Sequence, residues 1–428
     1  MFSGMIHASG TGDRVDFRPR PAVPRKGPEM ASTEPKARLP RNVYLLMLSQ
    51  AFAGALPPIM VSLGGLIGAM LAPSPYLVTL PVSMFMVGTC IATIPAALLF
   101  GRFGRRPVYL GGALVAVTGA LTCAWGVYTG SFLLFCLGAL LFGLNIACVQ
   151  SFRFAAQQGL PSGLRARAVS VVLLGGIGSA VIGPQIAIHS NDMIIGAPYV
   201  AAFLGQAMLA ALTLPFLAGL RLPRTPIAQP ATPLPRGRHG LPPLTRAYVI
   251  AVICGAFAYG SMTFTMTAAP LAMIACGFSE ADAALGIQWH IIGMFAPSFV
   301  TGRLIDRYGY RPVMITGIVL VVAGAVLALS GEARANFWGT LILLGVGWNF
   351  AYTGSTVMIA RASAAAGSVA LQGMADFMIF AFVAAASLLA GVLFQLSGWA
   401  VLNITVLVAL GLILGLVTLD SRSARRAA

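Results

Sequence analysis

Three ionisable side chains sit inside long apolar runs of this sequence. Asp376 lies in LQGMADFMIF, His290 in IQWHIIGMF and Arg153 in VQSFRFAAQQ. A charge held in hydrocarbon is costly, so such a group persists where it moves a proton, faces a charged solute or pairs with an opposite charge. Asp376 is about nine residues into its run, roughly 13 Å deep at the rise of a helix. It can carry a proton, act as a counter-ion to a solute, or pair with Arg361 or Arg153. His290 can bind a proton or solute, or pack as a satisfied core histidine. Arg153, near the end of its run, can also reach out to headgroups. His189 falls at the end of a run and reads as interfacial.

Other chemistries find no support. No G-x-x-x-x-G-K-[ST] loop is present, and the only lysines are Lys26 and Lys36, so there is no phosphate cradle for ATP. Cys90, Cys123, Cys136, Cys148, Cys254 and Cys276 have no metal-ligand spacing and read as small buried hydrophobes. No carboxylate pair or His cluster suggests hydrolysis or redox work. The expectation is a protein without cofactor, metal or catalytic residue, and not an enzyme.

The elements that carry these residues follow from composition. The chain has 428 residues, 58% hydrophobic and 9% charged, with mean hydropathy +0.87. Soluble domains carry about 25% charged residues, and a bilayer core of about 30 Å needs roughly 20 apolar residues per helix. Apolar runs fall near 43–71, 76–99, 107–128, 131–157, 168–189, 197–220, 247–275, 282–302, 312–330, 336–360, 367–394 and 398–419. Unbroken runs of this length exclude an alternating β-barrel. The fold class expected is an all-α polytopic membrane protein with twelve transmembrane helices in two six-helix bundles.

Residues 1–42 read as a disordered cytoplasmic arm, with Met30 an alternative start and no signal peptide. The first bundle spans 43–220, and a Pro- and Arg-rich cytoplasmic linker covers 221–246. The second bundle spans 247–419, and 420–428 form a basic tail. Placing the runs alternately across a membrane puts every Lys and Arg except Arg334 on one side. That is the positive-inside pattern, and it sets both termini in the cytoplasm. The net charge of +16 is therefore topological, and no nucleic-acid partner is expected.

Two charged hinges occupy matching places, each after the second span of its half. GRLIDRYGYRP (302–312) follows the eighth span and GRFGRRP (101–107) the second. Gly309-Tyr310-Arg311-Pro312-Val313 repeats Gly104-Arg105-Arg106-Pro107-Val108. With six-plus-six spans, the pattern G-x-L-x-D-R-x-G-x-R-P in this slot resembles the major facilitator superfamily over residues 43–420. The resemblance implies alternating access by two rocking halves. It also implies that Gly302, Arg303, Asp306, Arg307, Gly309 and Arg311 form a conformational latch. The simpler alternative is a plain positive-inside turn. The first copy keeps Arg102, Gly104, Arg105 and Arg106 but has Gly101 where the acid belongs, so an acid-based latch is expected only in the second half.

The same resemblance selects spans 1, 4, 7 and 10 as the cavity wall. It points to Gln50 and Ser62, to Asn145 and Gln150, to Tyr259, Thr263 and Thr267, and to Trp348, Asn349 and Tyr352. Such residues also glue helices together. An aromatic and amide lining without lysine suits a neutral, cationic or flat aromatic solute. The glycines and Pro184 of LLGGIGSAVIGPQ resemble a motif of drug/proton antiporters and lean toward export. Arg153 lies too far along its span to match the arginine of drug exporters, which weighs the other way.

The function expected is secondary transport of a small organic solute across the inner membrane, coupled to protons. An uncoupled facilitator is the first alternative and a non-transporting receptor the second. The bilayer is the expected surrounding, with no obligate protein partner.

Overall fold

The computed structural model describes residues 39–190, 193–222, 244–366 and 369–426. The arm up to residue 38, most of the linker and the side chains of the basic tail lie outside the described residues. The described chain is helical without a strand. Eleven helical stretches are long and apolar enough to cross a membrane. The first ten are α1 (Arg41–Leu71), α2 (Pro75–Phe103), α3 (Arg105–Tyr128), α4 (Phe132–Ala155), α5 (Arg167–His189), α6 (Val200–Ala218), α7 (Arg246–Ala275), α8 (Glu280–Tyr308), α9 (Tyr310–Leu329) and α10 (Arg334–Ala365). The last, Leu371–Leu419, is 49 residues. At 1.5 Å per residue it would be about 74 Å long, more than twice a bilayer core of about 30 Å. It breaks at Gly398, where φ is 74° and ψ −173°. The break yields α11 (371–397) and α12 (399–419), and with them the twelve spans.

The face bearing the start of α1 and the ends of the even helices is called the terminal face, and the opposite one the distal face. Leu133 and Leu412 are 79% and 72% exposed, as suits side chains whose solvent is lipid. Inside, helices approach through glycine. A Cβ on Gly143 of α4 would strike the carbonyl of Phe85 in α2, and one on Gly317 of α9 would strike the backbone of Ala351 in α10. Without a hydrophobic drive between helices in lipid, close van der Waals packing at such sites holds the bundle. Hydroxyls add cross-links: Thr89 Oγ1 donates to the Gly143 carbonyl at 3.2 Å, and Thr340 Oγ1 to the Gly324 carbonyl at 3.0 Å.

The charged hinges differ from expectation in extent. Rather than loops, they are helix ends separated by one residue: α2 runs to Phe103 and α8 to Tyr308, with Gly104 and Gly309 between helices. Arginine is a good helix former, so the charges do not stop the helix. Gly104 (φ 80°, ψ 167°) and Gly309 (φ 85°, ψ 162°) share one conformation that is essentially restricted to glycine. The two hinges are the same turn built twice. Gly302 needs no such freedom, since a Cβ there would meet nothing within 4 Å. Among the cysteines, Cys276 is exposed just beyond α7 and the other five are buried.

The Gly143 contact generates a test. Gly143→Val should force α2 and α4 apart at a cost of about 1–3 kcal/mol or more, read as a fall in the midpoint of thermal unfolding in detergent. Gly373→Ala, at a position with open space, should leave that midpoint within error.

Candidate functional site

Three spans are interrupted, α1 and α8 near their middles and α4 four residues before its end, and all three breaks border one cavity between the halves. α1 turns at Gly54–Ala55, just before Pro57 and Pro58. α4 turns at Ser151, whose N–H bonds the Cys148 carbonyl instead of continuing the α-helical register. α8 turns at Ala296–Pro297. Proline withholds a donor and clashes with the preceding turn, which explains the first and third breaks. The second is braced from outside. Ser151 Oγ donates to the Cys148 carbonyl at 2.8 Å and shares a 2.7 Å hydrogen bond with the Tyr109 hydroxyl, while Arg105 of the first hinge donates to Tyr109 at 3.2 Å.

The cavity holds about 190 Å³ of space and is mostly apolar. Its polar edges come from Gln50 of α1, Gln150 and Arg153 of α4, Tyr259 of α7 and Trp348 of α10. Trp348 is stacked on Tyr352 at 5.2 Å and 16°, and Tyr259 stands edge-on to both, at 5.3 Å and 5.2 Å. Phe380 of α11 extends the group, 5.6 Å from Tyr259. The result is a rigid aromatic wall. Opposite in character are Met262, Met266 and Met294, whose unbranched thioethers adapt to an irregular guest. The indole Nε1 of Trp348 and the Nε of Arg153 are buried without a hydrogen-bond partner. An unmet buried donor is costly, so both are groups that a bound solute could satisfy.

The other residues picked from sequence sit elsewhere. Asn349 is fully engaged beside the α8 break: its Nδ2 donates to the Met294 carbonyl and to Ser298 Oγ, both at 2.7 Å, and its Oδ1 accepts from Thr301 at 2.6 Å. Thr267 faces Ser387 at 3.4 Å. Ser62, Asn145, Thr263 and Tyr352 are buried outside the lining, with Tyr352 backing Trp348. His290 is buried between α8 and α10, its Nδ1 2.8 Å from the Leu341 carbonyl. A carbonyl only accepts, so Nδ1 carries a hydrogen, and Nε2 is buried without a partner.

Asp376 lies near the start of α11, five residues after Leu371. It is half-buried and within electrostatic reach of Arg153, as are Tyr259 and Tyr352. That attraction crosses from the first half to the second, with no ion pair closed between Asp376 and Arg153. Sequence reasoning missed Phe380 and the methionine wall; the i, i+4 pair of methionines in SMTFTM was the available signal.

Among the described residues, three hydrogen bonds join the halves toward the distal face. Ser83 donates to Ser387 at 3.2 Å, Gln185 to Gln288 at 3.0 Å, and Tyr199 to Glu280 at 2.5 Å. At the terminal face Asp306, Arg303 and Arg307 are exposed, and Asp306 makes no ion pair among the described residues. The two hinges nonetheless brace their neighbours alike. Arg105 reaches the α4 break, and the Tyr310 ring carries the Arg361 guanidinium of α10 at 5.1 Å.

Twelve spans, a doubled hinge and a cavity between two halves define a solute carrier. The solved D-xylose-proton symporter superposes with TM-score 0.67 at 15% identity, over 87% of this chain and 95% of that one. The nucleoside transporter NupG superposes with TM-score 0.66 at 12% identity, over 89% and 99%. In sequence, the chain is 44% identical over 377 residues to the riboflavin transporter RfnT of Brucella anthropi, covering 87% of this chain and 94% of the relative. It is 28% identical to the MFS-type transporter YdeG of Bacillus subtilis, over 86% and 89%. No family model matches the chain. The protein belongs to the major facilitator superfamily and is a multi-pass membrane transporter, not an enzyme.

Asn349→Leu removes every partner that the α8 break draws from α10. The freed Met294 carbonyl and Ser298 hydroxyl should cost about 1–3 kcal/mol each where they stay dry, lowering thermal stability in detergent well beyond the effect of Ser62→Ala.

Proposed function

We propose that this transporter carries riboflavin, or a close flavin, across the inner membrane by alternating access. The observation that carries the reading is the aromatic wall of Trp348 and Tyr259, backed by Tyr352, in one cavity with the amides of Gln50 and Gln150. The isoalloxazine of a flavin is a flat tricycle whose imide edge offers an acceptor, a donor and a second acceptor. A flat ring stacks on Trp348, and side-chain amides and Arg153 supply complementary edges. The neutral ribityl chain asks for no buried cation, in keeping with spans that hold no lysine. The relative of 44% identity named for riboflavin supports the same solute. The cavity is smaller than the roughly 300–1,000 Å³ usual for such ligands, so binding requires the methionine wall to yield or the halves to part.

In this reading the structure is the state closed at the distal face. The terminal face is cytoplasmic, as the arginine distribution supports, and the exposed Asp306 is the latch disengaged. In the first hinge Arg105, next to the Gly104 turn, acts as brace rather than latch, while Arg102 and Arg106 stay exposed. Proton coupling rests on Asp376, whose carboxylate pairs with Arg153 when the terminal side closes and takes a proton when it opens. His290, bound to a backbone carbonyl outside the lining, is the weaker candidate.

Exchange of labelled riboflavin into preloaded proteoliposomes tests the solute without regard to direction. Trp348→Ala should slow exchange at sub-saturating riboflavin on the order of tenfold, and Trp348→Phe should retain most of it. Riboflavin exchange no faster than in protein-free liposomes would sink the assignment. For coupling, Asp376→Asn should abolish accumulation driven by a proton gradient while leaving exchange. Unchanged accumulation would leave an uncoupled facilitator or another proton carrier.

A further inference from the structure

A second cavity lies apart from the solute path, on the outside of the first half. It is a groove between α2, α3 and α4 that holds about 420 Å³. Ile91, Leu99 and Phe103 form one wall along α2, and Cys148 closes the far side. Two sequence features open it. Pro95 lies inside α2, where it removes a backbone bond and bends the helix. Gly111 of α3 leaves its floor bare, and a Cβ there would meet nothing within 4 Å. From Ile91 to Phe103 the groove runs about 18 Å along the helix, close to the roughly 15 Å depth of one leaflet's hydrocarbon.

Its mouth at the terminal face is positive. Arg102 and Arg106 are exposed beside the lining residues Phe103 and Pro107, and the Arg102 guanidinium lies 5.2 Å from the Phe103 ring centre. Arg105 is turned away, toward Tyr109 and Ser151. Where the second hinge has Asp306, this one has Gly101, so its arginines have no acid within their own turn. A greasy channel one leaflet deep ending at two guanidiniums matches an acyl chain joined to a phosphate, since arginine binds phosphate through paired donors.

We propose that this groove holds one anionic phospholipid, its acyl chain along α2 and its phosphate at Arg102 and Arg106. Neither arginine lines the solute cavity, so the site is separate from transport chemistry and independent of the solute assigned above. A lipid seated there fills the space beside the Pro95 bend.

The test uses the purified full-length chain, with phosphatidylglycerol or phosphatidylcholine added and lipid retention read by native mass spectrometry. The wild type should keep one phosphatidylglycerol per chain, preferred over phosphatidylcholine on the order of tenfold. Gly111→Leu, which fills the floor, should lose that bound lipid. The double variant Arg102→Gln/Arg106→Gln, changed only at exposed positions, should bind both lipids alike. Equal retention of the two lipids by the wild type, or undiminished preference in the arginine variant, would overturn the site. So would thermal stabilisation by phosphatidylglycerol that inorganic phosphate alone reproduces.

Discussion

In hydrocarbon a backbone N–H or C=O has no water to bond, and an unpaired group there costs several kcal/mol. A spanning helix can therefore be interrupted only where protein or an aqueous cavity receives the freed groups. Here the interruptions at Gly54–Ala55, Ser151 and Ala296–Pro297 all adjoin residues that line the space between the halves. Each is furnished with partners. Gln206 Nε2 reaches the Leu56 carbonyl at 3.3 Å, the Tyr109 hydroxyl meets Ser151, and Asn349 serves the end of the first segment of α8. The same constraint that forbids loops in lipid thus marks where the cavity is, and the broken turns aim Gln50, Gln150 and Arg153 into it.

The second ordering principle is repetition with selective departure. Two hinges share one backbone conformation at Gly104 and Gly309, and in each half the start of the third helix steadies the inner end of the fourth. The halves then diverge in side chains. The first spends Arg105 on bracing the α4 break, while the second places Tyr310 under Arg361. The first has Gly101 where the second has Asp306. The cavity is divided unevenly as well: the amides and Arg153 come from the first half, and the aromatic wall comes from the second. A solute that stacks on one half and hydrogen-bonds to the other would couple its own seating to the angle between them.

Much of this was legible in the sequence, for definite reasons. Span number and order follow from apolar runs and from arginines confined to one side, because bilayer thickness and charge cost act on any sequence alike. The break at Gly398 was foreshadowed by the short gap after Leu393-Phe394. The hinge lengths were not legible, since arginine and aspartate are compatible with helix and only glycine ends it. The cavity face was the harder problem. A span that is apolar all round carries no periodicity to say which side faces inward. Trp348 and Asn349 are neighbours of equal promise in sequence; one lines the cavity and the other is consumed by Met294, Ser298 and Thr301. That difference is made by α8, whose partner residues lie 48 to 55 positions away in the chain. Phe380 and the methionines went unselected because nothing in an apolar residue type separates a wall from a core.

The named contacts that join the halves toward the distal face are chemically mild. Ser83 with Ser387 and Gln185 with Gln288 are neutral pairs, and of the named contacts only Tyr199 with Glu280 involves a charged group. The ion pair of Arg334 with Asp282, at 3.1 Å, stays within the second half and does not cross the seam. Neutral hydrogen bonds are worth about 1 kcal/mol each and owe little to screening by dissolved ions. The two neutral pairs should therefore hardly respond to the ionic strength of the surrounding medium.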